Sequence, residues 1–220
     1  MHIPDGFLGN EVALACAVPA AVCVGVGIRR ANVELDERRV PLLGVTAAFI
    51  FAAQMLNFPV AGGTSGHLLG ATLAAVLLGP WLACLVLAVV LTVQAFVFAD
   101  GGITALGANV FNMGVIGALL VGGLTTAARS VAPKATLAIA GVGAWLAVMA
   151  GAAAASLELA ISGTVPAETV VPAMLGVHAV IGVGEAVVTV AAVSAVLLTR
   201  PDLIHRPRHE LVGPVLAGVR

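Results

Sequence analysis

The run VALACAVPAAVCVGVGI, residues 12–28, decides the class of this protein because it contains no charged residue. A helix of about 20 apolar residues spans a bilayer, and a run of this length comes close to that. Six more apolar runs follow, at about 41–56, 66–79, 81–98, 106–124, 135–161 and 171–199. The chain is 60% hydrophobic and 10% charged, whereas soluble domains carry about 25% charged residues. We therefore predict an all-α polytopic membrane protein with seven transmembrane helices.

The basic residues test this topology. With seven spans, all of them fall after runs one, five and seven, on one side of the membrane: Arg29, Arg30, Arg38, Arg39, Arg129, Lys134, Arg200, Arg206, Arg208 and Arg220. The positive-inside rule makes that side cytoplasmic, so we expect the N-terminus outside and the C-terminus in the cytoplasm. The expected organisation is one membrane domain, 1–200, followed by a cytoplasmic tail, 201–220.

The segment before the first run starts Met1-His2-Ile3-Pro4-Asp5-Gly6. It has no Lys or Arg, and the run after it is longer than the apolar part of a typical signal peptide, so we expect Met1 to be the mature N-terminus. The Met1 amine, the His2 amide nitrogen and the His2 imidazole can close two adjacent chelate rings. Such a nitrogen set suits Ni(II) or Cu(II). Residues 1–10 are thus a candidate metal-binding segment, the alternative being a polar end with no role.

A second polar stretch on the same predicted side is Asn57-Phe58-Pro59-Val60-Ala61-Gly62-Gly63-Thr64-Ser65-Gly66-His67. Pro59 and the glycines disfavour a regular helix, and irregular backbone at membrane depth lines a cavity. We expect Thr64 or Ser65 to cap a helix starting near His67, and run 66–79, which is short, to begin part-way down such a cavity. His67 is a candidate ligand, or its N–H satisfies a buried carbonyl. Asn57 is a candidate of second rank.

Other polar residues lie inside the apolar runs. Asn109 and Asn112 share a helix face, where we expect hydrogen bonds to another helix. His178 and Glu185 also share a face. Ionisable residues inside a membrane are functional candidates, although structural hydrogen bonds explain these two equally well, so they too rank second.

Five segments together resemble the CbiM/NikM family: MHIPDGFL at 1–8, QMLNFPV at 54–60, GGTSGHLLG at 62–70, FADGGITALGAN at 98–109 and HAVIGVGEA at 178–186. Members of this family are substrate-capture (S) components of energy-coupling factor (ECF) importers for cobalt and nickel. The resemblance implies a seven-helix fold whose N-terminal segment folds back into the bundle. It also implies that the ligands are the Met1 amine, the His2 amide and imidazole nitrogens, and the His67 imidazole. The start resembles the nickel type more than the cobalt type, which usually reads MHIMEG.

The resemblance further implies what the chain does and with which proteins. It would capture Ni²⁺ or Co²⁺ outside the plasma membrane of a bacterium or archaeon and deliver it for ATP-driven uptake. The metal would be the transported substrate, with no organic cofactor, no nucleic-acid partner and no enzymatic activity of its own. The sequence has no P-loop motif, so ATP hydrolysis would belong to partners. The expected partners are a membrane coupling (T) component, two ATP-binding subunits and a small helper membrane protein of the CbiN/NikN type.

Two other functions are compatible with some of these residues. An autonomous secondary transporter or channel for a divalent metal would use His178 and Glu185 as relay residues. An intramembrane enzyme would use Ser65 and His67, but no nearby acid is available to orient that pair.

Overall fold

The computed structural model describes residues 1–35 and 39–205. Seven helices, numbered here in chain order, match the seven apolar runs. Their bounds are α1 Asn10–Glu34, α2 Arg39–Met55, α3 Ala71–Leu78, α4 Pro80–Phe98, α5 106–131, α6 Thr136–Ile161 and α7 Ala167–Thr199. Within α5, the stretch Phe111–Val121 is π-helical. Short 3₁₀ turns, Pro133–Ala135 and Pro201–Leu203, precede α6 and follow α7.

Within the described residues, five helices are long and apolar enough to cross a membrane: α1, α4, α5, α6 and α7. The chain is therefore a multi-pass membrane protein, as the composition predicts. Helix α2 is shorter, at 17 residues, and α3 has only 8. The number of spans and their orientation stay predictions. Arg38 and most of the predicted tail, 206–220, lie outside the described residues.

Helix α3 lies at the centre of the bundle, where seven of its eight residues are buried. It packs against α4, α5, α6 and α7. It starts at Ala71, as expected for a helix that begins part-way down the bundle, but the predicted start near His67 is wrong. Gly70 precedes it at φ 77°, and neither Thr64 nor Ser65 caps it. The Glu185 carboxylate accepts the N–H groups of Leu69 and Gly70 instead, at 2.7 and 2.6 Å.

The segment between α2 and α3 descends along α7. It contains two short antiparallel strands, β1 Phe58–Pro59 and β2 Ser65–Gly66. A Cβ atom on Gly63 would lie 2.6 Å from the sulfur of Met174, and one on Gly66 would lie 2.8 Å from Ile181. Glycine therefore lets this backbone lie directly on α7, where His67 is buried and Ser65 is partly buried.

Polar and small residues mediate contacts between the helices. Asn112 donates to Glu158 of α6 at 2.8 Å, which confirms a hydrogen bond between helices. Asn109 was expected to do the same, but it binds the N-terminal segment instead. In α1, Ala17 lies so close to Gly107 of α5 that a Cβ on that glycine would be 2.5 Å away. Small residues thus allow α1 to approach the bundle.

Candidate metal centre

The first three residues are buried inside the bundle rather than frayed. Met1, His2 and Ile3 are 0%, 3% and 0% exposed. The Asn109 side chain clamps the backbone of Ile3, because its Oδ1 accepts the Ile3 N–H at 2.9 Å and its Nδ2 donates to the Ile3 carbonyl at 3.1 Å. The Gly102 N–H also donates to that carbonyl, at 2.8 Å. The side chain of Met1 reaches α6, where a Cβ on Gly151 would lie 3.2 Å from its sulfur.

The next residues are fixed to the loop after α4. The Asp5 Oδ1 accepts both the N–H and the hydroxyl of Thr104, at 2.7 and 2.6 Å. A Cβ on Gly102 would collide with the backbone of Pro4 and Asp5, so only glycine permits this close approach. Residues 1–5 are therefore held along their length by the stretch that connects α4 and α5.

Two N-terminal nitrogen atoms converge on Ser65. The Met1 amine donates to the Ser65 carbonyl and, at 2.9 Å, to its hydroxyl oxygen. The His2 amide N–H donates to the same hydroxyl oxygen at 3.0 Å. Two nitrogens separated by only two carbon atoms contact one atom only if the backbone turns both to the same side. A five-membered chelate ring requires the same arrangement, so the segment is already folded for it.

The imidazoles of His2 and His67 are in contact, with ring centroids 4.4 Å apart and an angle of 86° between their planes. The Nδ1 of His67 donates to the Leu68 carbonyl at 2.8 Å. The Nδ1 of His2 lies 3.1 Å from the Asp100 carbonyl oxygen and 3.3 Å from its Oδ1. These contacts assign the proton to Nδ1 in each ring and the lone pair to Nε2.

Both Nε2 atoms are buried and have no hydrogen-bond partner among the described residues. Leaving a buried polar atom unpaired costs about 1–3 kcal/mol, so such atoms call for an explanation. A metal ion supplies one, because neutral imidazole nitrogen is a common ligand. Two chelate rings on the N-terminus also need the Nδ1 of His2. The ring must therefore leave Asp100 and turn about its Cβ–Cγ bond when a metal binds in that way.

The protonation of the centre suits metal binding. Burial lowers the pKa of the Met1 amine well below its ordinary value of 8.0, although the Asp100 carboxylate opposes this shift. Burial, followed by the N-terminal charge, lowers the pKa of His2 to about 3. Burial also lowers the pKa of His67 well below 6.5, with further contributions from the Met1 amine, His2 and His178. The two imidazoles are therefore uncharged at neutral pH, and the amine loses its proton more readily than a free N-terminus, which favours metal binding.

The candidates of second rank, Asn57, His178 and Glu185, lie in different places relative to the centre. Asn57 donates to the Oδ2 of Asp100 at 2.9 Å, so it touches the centre only through that carboxylate. His178 is fully buried beside Ser65 and His67; its Nδ1 donates to the Met174 carbonyl at 2.7 Å and its Nε2 has no partner among the described residues. Glu185 holds the backbone before α3 and is an anchor of the fold.

Sequence reasoning did not assign Ser65 and Asp100 to the centre. Each of them contacts His2, although it lies 63 or more residues later in the chain. The adjacent glycines Gly101 and Gly102 could have indicated that Asp100 lies near the centre, because such a pair is typical of a place where another backbone approaches closely. Among the described residues, no group of three or more His, Cys, Asp or Glu side chains is arranged to hold a metal. The candidate donors include only two side chains, and the remainder are nitrogens of the N-terminus.

Comparisons with known proteins agree with this architecture. Residues 2–203 match the profile of the CbiM family, described as the cobalt uptake substrate-specific transmembrane region. A metal transport protein of Haloquadratum walsbyi is 44% identical over 206 residues, which cover 93% of each chain. The fused nickel transport protein NikMN of Rhodobacter capsulatus is 39% identical over 73% of this chain, which corresponds to 47% of that longer protein.

A solved structure has the same fold. The crystal structure of a truncated transition metal transporter superposes with a TM-score of 0.85 at 32% identity, over 90% of this chain and 99% of that one. Sequence and fold therefore indicate the same family over nearly the whole length of the chain. The chain belongs to the CbiM family of cobalt and nickel transport proteins, whose members are membrane components.

Proposed function

We propose that this chain captures Ni²⁺ or Co²⁺ with four nitrogens: the Met1 amine, the His2 amide, the His2 imidazole and the His67 imidazole. The observation that carries this proposal is the burial of the N-terminus against Ser65, with the two imidazoles in contact and the Nε2 of His67 unpaired among the described residues. Burying a terminal amine is unfavourable, and a bound ion offsets that penalty. The metal is cargo that must later be released.

Nickel is the preferred cargo in this proposal. Four nitrogen donors that include a deprotonated amide suit a tetragonal ion, and affinity at such sites rises from Co²⁺ to Ni²⁺. The Rhodobacter relative is named a nickel transport protein, whereas the family description refers to cobalt. Cu²⁺ would bind such a site more tightly still, so its exclusion would depend on availability.

Transport needs partners in this proposal. The ion enters from outside, where the predicted orientation places the N-terminus, and energy comes from two ATP-binding subunits that act through a membrane coupling (T) component. A helper membrane protein of the CbiN/NikN type is supported by the relative in which the segments are fused. The absence of a P-loop motif in the sequence supports separate ATPases.

Two measurements test this function. The first is the metal content and calorimetric affinity of the purified protein, with Ni²⁺ and Co²⁺ offered in competition; tight binding of one ion per chain is expected. The second is ion uptake by vesicles containing this chain with and without its ATPases. Uptake that requires the ATPases supports an ECF importer, whereas uptake by the chain alone would establish an autonomous transporter or channel. A protein that binds neither ion would refute the proposal.

A further inference from the structure

Asp100 joins the candidate metal centre to the protein surface. Its Oδ1 lies 3.3 Å from the Nδ1 of His2, and its backbone carbonyl lies 3.1 Å from the same atom. The carboxylate side chain is 17% exposed, whereas that of His2 is 2% exposed. An ion approaching the buried ring from this side therefore meets a negatively charged group first.

The orientation of this carboxylate is fixed by Asn57. The Asn57 Nδ2 donates to Oδ2 at 2.9 Å, which leaves Oδ1 turned towards His2. By contrast, the Oδ1 of Asp5 already accepts two hydrogen bonds from Thr104. Asp100 is thus the acid that faces the N-terminal segment of the centre with a free carboxylate oxygen directed at His2.

The charge of the loaded centre explains why such a carboxylate is needed. A divalent ion bound by a neutral amine, two neutral imidazoles and one deprotonated amide leaves a net charge of +1. Burying an unpaired charge is strongly unfavourable, and a fixed opposite charge nearby removes most of that penalty. One carboxylate at this place brings the total to zero.

We propose that Asp100, oriented by Asn57, is the fixed counter-charge of the metal centre: it attracts the divalent ion to His2 and neutralises the loaded site. This inference rests on the proposed function, since it assigns a role to a residue that is not among the proposed ligands. Its role is electrostatic, so it depends on the charge of residue 100 and on ionic strength. A merely structural role depends on neither.

The test compares Asp100→Asn with a matched control, Glu168→Gln. Both variants remove one negative charge from the predicted outer end, but Glu168 is exposed in the first turn of α7. The association rate of Ni²⁺ is measured by stopped flow in uncharged detergent micelles from about 0.01 to 0.5 M salt, a range that screens exposed charges. We expect D100N to lower the rate about tenfold at low salt and to remove most of its salt dependence. Its equilibrium affinity falls as well, while E168Q behaves like the wild type.

A third variant, Asp100→Glu, keeps the charge and separates electrostatics from shape. It should retain the salt dependence of the wild type, with a rate much closer to it than that of D100N. A D100N protein with wild-type rate, affinity and salt dependence overturns the inference while leaving the proposed function intact. A folded D100E protein that has lost the salt dependence also overturns the inference. If D100N does not fold, the measurement on D100E is the one that tests the inference. A wild-type protein that binds no Ni²⁺ refutes the proposed function, and this inference with it.

Discussion

Blocking the Met1 amine is the perturbation to which the proposed centre is most sensitive. The amine has no exposed surface and donates to two oxygens of Ser65. Acetylation turns it into an amide with a single N–H and adds three heavy atoms to a closed site. At least one of these two hydrogen bonds is then lost, which lowers the free energy of unfolding by about 1–3 kcal/mol. A peptide extension before Met1 has the same effect on the amine and needs still more space.

The effect on metal binding should be larger than the effect on the fold. An acylated nitrogen is no longer a neutral amine donor, so one of the two chelate rings is lost. Removing a residue that merely supports a ligand already weakens metal binding 10–100-fold. We therefore expect Ni²⁺ affinity to fall more than about a hundredfold, equivalent to about 2.7 kcal/mol or more.

The assay uses a cleavable N-terminal extension whose removal restores the Met1 amine. Isothermal titration with Ni²⁺ before and after cleavage measures the affinity of one preparation in both forms. Thermal melting of the metal-free samples shows whether the extended protein is folded. A folded, extended protein that binds Ni²⁺ as tightly as the cleaved one would refute the amine as a ligand.

Three further predictions follow from the same contacts. His2→Ala and His67→Ala should each abolish tight Ni²⁺ binding by calorimetry, whereas His178→Ala should leave it measurable; a greater loss in H178A would reverse our ranking of the sites. Glu185→Gln replaces one of the two oxygens that accept the N–H groups before α3, so the unfolding free energy of the metal-free protein should fall by about 1–3 kcal/mol and its melting temperature should fall with it; an unchanged melt would contradict the anchoring role. The metal-free protein should also lose stability as the pH falls from 6.5 towards about 3, because unfolded His2 binds a proton that the folded protein excludes; melting that is independent of pH over this range would argue against neutral, buried His2.

Hydropathy predicted the helices well because an apolar run is buried in lipid or in the core whichever neighbours it has. The start of α3 could not be predicted in this way. The backbone at Leu69 and Gly70 is bound by Glu185, more than 110 residues later in the chain, and no local pattern encodes that contact. The π-helical stretch Phe111–Val121 likewise has no signature in its own sequence.

The centre was predictable to the extent that its donors have distinctive chemistry. His2 and His67 stand out as His residues in polar segments on one predicted side, and the structure brings their rings together. Ser65 and Asp100 do not stand out, because a serine or aspartate in a loop is ordinary until its neighbours in space are known. Asn109 was expected to form a hydrogen bond with another helix, but its partner is the backbone of Ile3 in the N-terminal segment.

The burial of Met1 has a consequence for the order in which this protein is assembled. Met1 precedes α1 in the chain, yet it contacts Ser65 and packs beside Gly151. It therefore cannot reach its final position until about two thirds of the chain has been synthesised and α6 is in place. Closing contacts over such long separations is slow compared with forming local helices. The N-terminal segment is thus placed late in folding, after the helices that surround it have formed.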